Sequence, residues 1–355
     1  MNATRKLRVG IIGLGFGMRH AASYVQVPEA EIVAIADPAP NRLGTTIDEF
    51  GAHYGARAYA DGREMIEKER LDAVSICTNP ILHRAFVEAA AEKGLHILME
   101  KPMAGTVEDC DAMIAACRRA GVQFHMEFPM RQLAPMVELR RLIDEGLIGT
   151  PFMVNCDYVS GLRTPNHWIW TMGDGSSPIN ENTCHGIDCV RFILGDVDRL
   201  YADGGNYIGH GRPVPDAAAF TMHHRNGAVS SLVGGACATN ELETPLRLSV
   251  YATDGQAILD GSTHTFHRLR WCRRGGEPVE TDSGPPPTFR QMAGDPYARY
   301  PLIEPAVRRF VHDCLNDRPP GATADDGRQN VRICLAVLDS IRTHQPVDLR
   351  EPAVR

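Results

Sequence analysis

A chain of 355 residues, 43% apolar and 23% charged with a net charge of −7, has the make-up of a soluble globular protein long enough for two domains. The acidic balance argues against a nucleic-acid binder, since the basic pairs Arg118-Arg119, Arg140-Arg141 and Arg308-Arg309 each fall in a helix-like stretch and read as solvated faces. No apolar run reaches the about 20 residues of a membrane span; the start breaks at glycines and does not read as a secretory leader; and ten scattered cysteines without a CxxC pair fit reduced thiols in a cytoplasm.

Taken in order, residues 8–12 form a short apolar run that ends in glycines, and a helical stretch follows from about Met18 to Val27. Glu31–Ala36 is a second buried strand ending at Asp37. The alternation continues with a helix from about Asn41 to Phe50, a strand at Leu71–Cys77 and a helix at Ile81–Lys93. A strand at His96–Met99, a helix at Val107–Ala120 and a strand at Val122–Met126 complete it. Strand–helix alternation over this length predicts a parallel sheet covered on both faces, the Rossmann pattern. Beyond Thr150 the character changes. Segments near 151–159, 199–207, 217–224, 228–237, 245–252 and 264–272 alternate as strands, with turn signals such as Asn226-Gly227 and Asp254-Gly255 between them. These predict antiparallel hairpins. A helix from about Ile179 to Leu194 interrupts them, residues 282–301 read as a Pro- and Gly-rich loop, and helices near 302–315 and 325–343 close the chain. The expected architecture is an α/β N-terminal Rossmann domain over 1–125 and an α+β domain with an open antiparallel sheet over 126–355.

Gly13, Gly15 and Gly17 lie at the first strand-to-helix turn. Glycine is needed where the turn demands angles closed to a Cβ and where the main chain must approach a pyrophosphate. The following helix N-terminus offers free N–H groups to that anion. The third glycine of the usual fingerprint is Met18 here, with Gly17 one place early. Asp37 stands 22 residues after Gly15, at the end of the second strand. A carboxylate there accepts hydrogen bonds from a ribose and repels a 2′-phosphate, which favours NAD over NADP; Arg42 is a nearby cation that a phosphate could use. Followed by Pro38, Asp37 is also an ordinary turn or N-cap residue.

Glu100-Lys101-Pro102 follows the strand HILM, where strand ends face the ligand crevice. A lysine there suits proton transfer, its basicity lowered by desolvation beside a cationic ring. Glu181 and His185 are four apart, a spacing that puts both on one helix face. A carboxylate can orient an imidazole, and histidine is a natural general base near neutral pH. The same pair is also a common polar helix face. No third ligand at suitable spacing argues for a metal: His223-His224 would face opposite sides of a strand, and His264 and His267 would not share one.

The chain resembles the glucose–fructose oxidoreductase, inositol dehydrogenase and rhizopine-catabolism (Gfo/Idh/MocA) group. The segments that carry the likeness are GIIGLGFGMRH, VSICTNPILH, EKPMAGTVED, LIDEGLIGTP, INENTCHGIDCVRFILGDV, YATDGQAILDG and DGRQNVRICLAVLDSI. The resemblance implies substrate held between a Rossmann domain and an open-sheet domain. It implies that Lys101, Glu181 and His185 are catalytic, with Glu181 standing where the family has aspartate. It implies NAD contacts from Gly13, Gly15, Phe16, Gly17, Met18, Asp37, Thr78, Asn79, His83, Glu100 and Lys101. Thr78-Asn79-Pro80 inverts the family's Thr-Pro-Asn, and Pro129 replaces the asparagine that usually precedes Arg131. Arg131, Asn166, His167, Trp168, Asp188, His185 and Lys101 are the expected substrate contacts; an indole can stack on a sugar's C–H face. The tryptophans could equally pack as structure. The implied activity is hydride transfer between a sugar, sugar derivative or cyclitol and NAD, in a homodimer or homotetramer. The alternatives are a glycoside hydrolase that oxidises its sugar transiently, an aldehyde or imine reductase, and a non-catalytic NAD-binding protein.

Overall fold

The computed structural model describes residues 5–46, 55–161, 167–170, 177–208, 214–239, 241, 242, 244–262, 265–284 and 300–350. The first elements are β1 (Leu7–Ile12), α1 (Leu14–Val25), β2 (Ala30–Ala36), α2 (Pro40–Thr46), β3 (Arg57–Tyr59) and α3 (Gly62–Lys68). They continue with β4 (Ala73–Ile76), α4 (His83–Glu92), β5 (His96–Met99), α5 (Val107–Ala120) and β6 (Phe124–Met126). Next come α6 (Ala134–Asp144), β7 (Pro151–Gly161), a π-helical segment Ile179–Thr183 and α7 (Cys184–Leu194). The rest are β8 (Val197–Gly205), β9 (Ala217–His224), β10 (Val229–Ala238), β11 (Pro245–Ala252), β12 (Gly255–Ser262), β13 (Thr265–Arg273) and β14 (Val279–Asp282), then α8 (Tyr300–Leu315), α9 (Ala324–Thr343) and β15 (Val347–Asp348). The chain divides into two compact units, residues 1–129 with 291–328, and 130–290 with 329–355.

In the first unit six parallel strands run in the order β3-β2-β1-β4-β5-β6. Every residue of β4 is buried, as expected of a parallel strand covered on both faces. Helix α5 shows how local sequence sets an element's limits. Thr106 caps its start by accepting the Asp109 N–H at 3.2 Å, Glu108 and Asp109 meet its positive end, Arg118 and Arg119 its negative end, and Gly121 closes it at φ 67°. The core joins Val9, Ile11, Leu14, Tyr24 and Ile32 to Ile303, Val307, Phe310 and Val311 of α8. Helix α8 therefore belongs with the first unit and not with the 126–355 domain expected from the sequence. Linear order could not reveal this, because the helix's apolar face says only that it is buried, not against what.

In the second unit nine strands run β14-β13-β12-β11-β7-β10-β9-β8-β15. The pairs are antiparallel, as expected, except for β7 with β10, which is parallel. The physical reason is the crossover: β7 and β10 are not joined by a hairpin but by the 179–194 helix and the β8–β9 hairpin. Alternation gives the sheet one apolar face, with Val154, Cys156, Tyr158, Leu232, Leu248 and Leu259 buried. Helices α6 and α7 pack on the sheet. The opposite face carries Asn155, Asp157, Thr221, Val233 and Arg247 and is open to solvent in the isolated chain.

The three arginine pairs sit on helices: Arg141 meets Glu138 and Glu145 and Arg309 meets Asp313 one turn away, while Arg118 pairs with Asp325 of α9. Among the described residues no helix is long and apolar enough to cross a membrane.

Candidate functional site

The turn between β1 and α1 is built for close approach. Gly13 has φ +88°, and a Cβ there would lie 2.8 Å from the Cys77 carbonyl and the Thr78 nitrogen. Gly15 is exposed, beneath the Arg42 guanidinium. A Cβ on Gly17 would come 2.9 Å from Ile11 Cγ2, so this glycine, one place early in the fingerprint, does the helix-on-strand packing usually left to the third. The first intrahelical bond is Gly17 N–H to Gly13 O, at 3.1 Å. The Leu14 N–H is taken by Asp37 Oδ2 at 2.7 Å, which leaves Gly15 and Phe16 N–H ahead of the ladder at the helix's positive end. This cradle fits a dinucleotide pyrophosphate. Asp37 is buried, accepts Ala39 N–H at 2.8 Å as well, and faces Arg42 Nη1 at 3.5 Å. A carboxylate has about four acceptor positions, so it retains capacity for a ribose hydroxyl. Phe16 and Met18, both partly exposed, pack against the core.

At the C-terminal ends of the strands, Thr78 is half-buried and Asn79 exposed, leading into a 3-10 turn. His83 is buried with Nδ1 3.0 Å from Met103 O and Nε2 3.0 Å from Thr78 O, and burial pulls its pKa down. Both ring nitrogens thus face backbone carbonyls, and the side chain ties the loop after β4 to the loop after β5. Glu100 is buried; its Oε1 lies 2.9 Å from His20 Nε2, and its Oε2 accepts the Lys101 N–H at 3.1 Å. Lys101 is partly buried and joined to Pro102 by a cis peptide.

Sequence reasoning missed four residues here. His20 Nδ1 lies 3.3 Å from Ser75 Oγ, which lies 2.8 Å from Tyr24 Oη. Glu127, just past β6, is fully enclosed; neither of its carboxyl oxygens has a hydrogen-bond partner, and burial foremost, then Glu100, pushes its pKa well up. The available signal was periodic. Leu14, Gly17, His20 and Tyr24 mark the buried stripe of α1, and a histidine on that stripe demands a buried partner.

In the second unit Glu181 and His185 are both buried. The helix carrying them begins as a π turn, with Cys184 N–H reaching Ile179 O, where a uniform α-helix was expected. Such turns frequently mark functional positions. Glycines let this helix press on the sheet: a Cβ on Gly186 would lie 2.9 Å from Tyr158 Cβ, and one on Gly234 would lie 2.3 Å from Thr183 Cγ2. Asn182 Nδ2 donates to Gly235 O at 3.1 Å, and Asn330 Nδ2 to Cys184 O at 2.8 Å. The Tyr158 ring lies 6.0 Å from that of His185. Arg131 and Asp188, each expected to face substrate, form a buried two-point ion pair with each other, Nε–Oδ2 2.9 Å and Nη2–Oδ1 2.6 Å. His167 is half-buried and accepts the Ile169 N–H at 3.4 Å through Nδ1. Asn166 lies outside the described residues, and Trp168 is described only as backbone of a 3-10 turn.

Residues 7–128 match the profile of the Gfo/Idh/MocA oxidoreductase family with an NAD-binding Rossmann fold, and residues 136–258 match a C-terminal domain of the same family. The chain is 28% identical to D-apiose dehydrogenase of Paraburkholderia graminis, over 98% of this chain and 90% of that one. It is 25% identical to myo-inositol 2-dehydrogenase of Thermotoga maritima, over 97% and 99% of the two chains. Among solved structures, levoglucosan dehydrogenase in complex with NADH and levoglucosan superposes with TM-score 0.84 at 23% identity, covering 98% of this chain and 100% of that one. An oxidoreductase domain protein from Kribbella flavida gives 0.85 at 22% identity, with the same coverage. The glycine cradle, the Asp37 carboxylate and two adjoining profile matches along the chain together assign it to the Gfo/Idh/MocA family of NAD-binding oxidoreductases.

Proposed function

We propose that this protein transfers a hydride between a hydroxyl-bearing carbon of a sugar, sugar derivative or cyclitol and NAD. The observation that carries the reading is the placement of Glu100 and Lys101 at the end of β5, in the sheet whose first turn is the Gly13–Gly17 cradle. Strand ends in such sheets are where ligands bind. Relatives with closely similar length are named as apiose and inositol dehydrogenases, which supports a polyhydroxylated substrate.

When bound, NAD supplies the hydride acceptor for alcohol oxidation. Asp37 would accept from its ribose, and the Gly15 and Phe16 N–H groups would hold its pyrophosphate. The substrate hydroxyl gives its proton to the unprotonated ring nitrogen of His185, whose orientation Glu181 fixes. Lys101 Nζ hydrogen-bonds the developing alkoxide and polarises it. Arg131 and Asp188 act on the substrate through the helix they brace. The ten cysteines form no disulfide, in keeping with a reducing cytoplasm. The uncovered sheet face pairs with a second copy of the chain.

The test is a screen of aldoses, their anhydro forms and cyclitols with NAD and NADP, reading absorbance of the reduced nucleotide. At least one substrate is expected to reduce NAD, faster than NADP. Lys101→Ala and His185→Ala are each expected to lower kcat/KM by about 100-fold or more. No reduction with any member, or unimpaired turnover in both variants, contradicts the reading.

A further inference from the structure

The first unit contains a chain of polar side chains that its packing does not require. Tyr24 and His20 come from α1, Ser75 from β4 and Glu100 from the end of β5; all but Glu100 are fully buried, and Glu100 is 6% exposed. The contacts run Tyr24 Oη–Ser75 Oγ 2.8 Å, Ser75 Oγ–His20 Nδ1 3.3 Å and His20 Nε2–Glu100 Oε1 2.9 Å. The donor to Glu100 can be assigned by elimination. A carboxylate only accepts, so His20 Nε2 carries the hydrogen. Ser75 Oγ, able both to donate and to accept, bridges the other ring nitrogen of His20 to the Tyr24 hydroxyl. Burial raises the Tyr24 pKa well above its usual value, which keeps the phenol a donor.

Such a chain is costly to build. Each buried polar group left unpaired costs about 1–3 kcal/mol, and apolar side chains of similar shape would fill the space without that hazard. Its terminus shows what it holds. Glu100 Oε1 is gripped by His20, and Oε2 receives the N–H of Lys101, 3.1 Å away. With both oxygens held, the carboxylate cannot turn, and the peptide leaving β5 toward Lys101 is fixed. The neighbouring acid is Glu127, whose pKa burial pushes well up. The chain also joins two ends of one binding surface, because α1 begins at the Gly13–Gly17 turn.

We propose that His20 is a positioning residue, which through its Nε2–H fixes the Glu100 carboxylate and the Lys101 peptide and so shapes the nicotinamide end of the NAD site. It contributes nothing to the adenosine and pyrophosphate end, which the glycine turn and Asp37 hold without it. The inference rests on the proposed binding of NAD along this sheet.

The experiment compares NADH with ADP-ribose, which lacks the nicotinamide, by calorimetric titration of the full chain. His20→Leu is expected to weaken NADH by about tenfold, the scale of one hydrogen bond to a charged group, and to leave ADP-ribose unchanged. His20→Gln restores a donor to Glu100 and is expected to return NADH affinity to within about threefold of wild type. Ser75→Ala loosens the ring without removing it and shifts NADH in the same direction by less, which keeps the test alive should the leucine variant fold poorly. Equal losses of both nucleotides would mark His20 as merely structural and overturn the proposal, as would no loss of either or no rescue by glutamine. Failure of the wild-type chain to bind either nucleotide would overturn the functional reading itself, a result distinct from these.

Discussion

Arg131 and Asp188 are taken almost wholly out of water, with side chains 5% and 2% exposed, and meet through two parallel hydrogen bonds. The Arg131 guanidinium also lies over the Phe192 ring, 5.0 Å from its centroid. The pair braces α7 three residues beyond His185. Removing one partner of a buried pair strands the other charge, at a cost of about 3–5 kcal/mol, whereas replacing both by apolar groups is often neutral. Arg131→Met is therefore expected to lower the unfolding free energy measured by urea titration by that amount, and Arg131→Met with Asp188→Leu to recover most of it. A double variant no more stable than the single one would contradict this. The pairing was not legible in the sequence, where the two residues stand 57 apart. Gly13, Gly15 and Asp37 were legible because their reasons are local: a left-handed turn, a close approach and a strand end. Glu127 and the Tyr24–Ser75–His20 chain were not, because their meaning lies in which strands stand side by side.

Among elements, six of the nine strands of the sheet are legible as alternating segments, whereas β12, β14 and β15 are not. The segments expected at 217–224 and 245–252 are β9 and β11 residue for residue, since period-two alternation marks a half-buried strand directly. Alternation specifies faces and not partners, so the parallel pairing of β7 with β10 was invisible, as was the π turn at 179–183. The same alternation leaves a broad outer face. A ladder of Thr221, Ser231, Asn155 and Ser249 crosses it, with Val229, Val233 and Tyr201 exposed by 44%, 47% and 42%. Exposed apolar side chains on an uncovered sheet favour self-association with closed symmetry. Light scattering after size exclusion is expected to give a dimer or tetramer, and Val233→Asp to shift it toward the monomer. A wild-type chain monomeric at every concentration would contradict the assignment of this face.

For the molecule as a whole, two folded units of different build follow from the change in periodicity near Thr150, and the helix at 300–315 returns to the first unit's core. The first unit offers a cradle for a dinucleotide and a lysine at a strand end; the second offers a buried glutamate and histidine on a braced helix. Isotope labelling tests the proposed hydride transfer most directly. The protein is incubated with NAD and carbon-deuterated sugars and cyclitols, and the reduced nucleotide is analysed by proton NMR and mass spectrometry. The account predicts deuterium on C4 of the nicotinamide, on one face only, carried directly from the substrate carbon. Reduced nucleotide without deuterium, or substrate consumed with no reduced nucleotide formed, would contradict it.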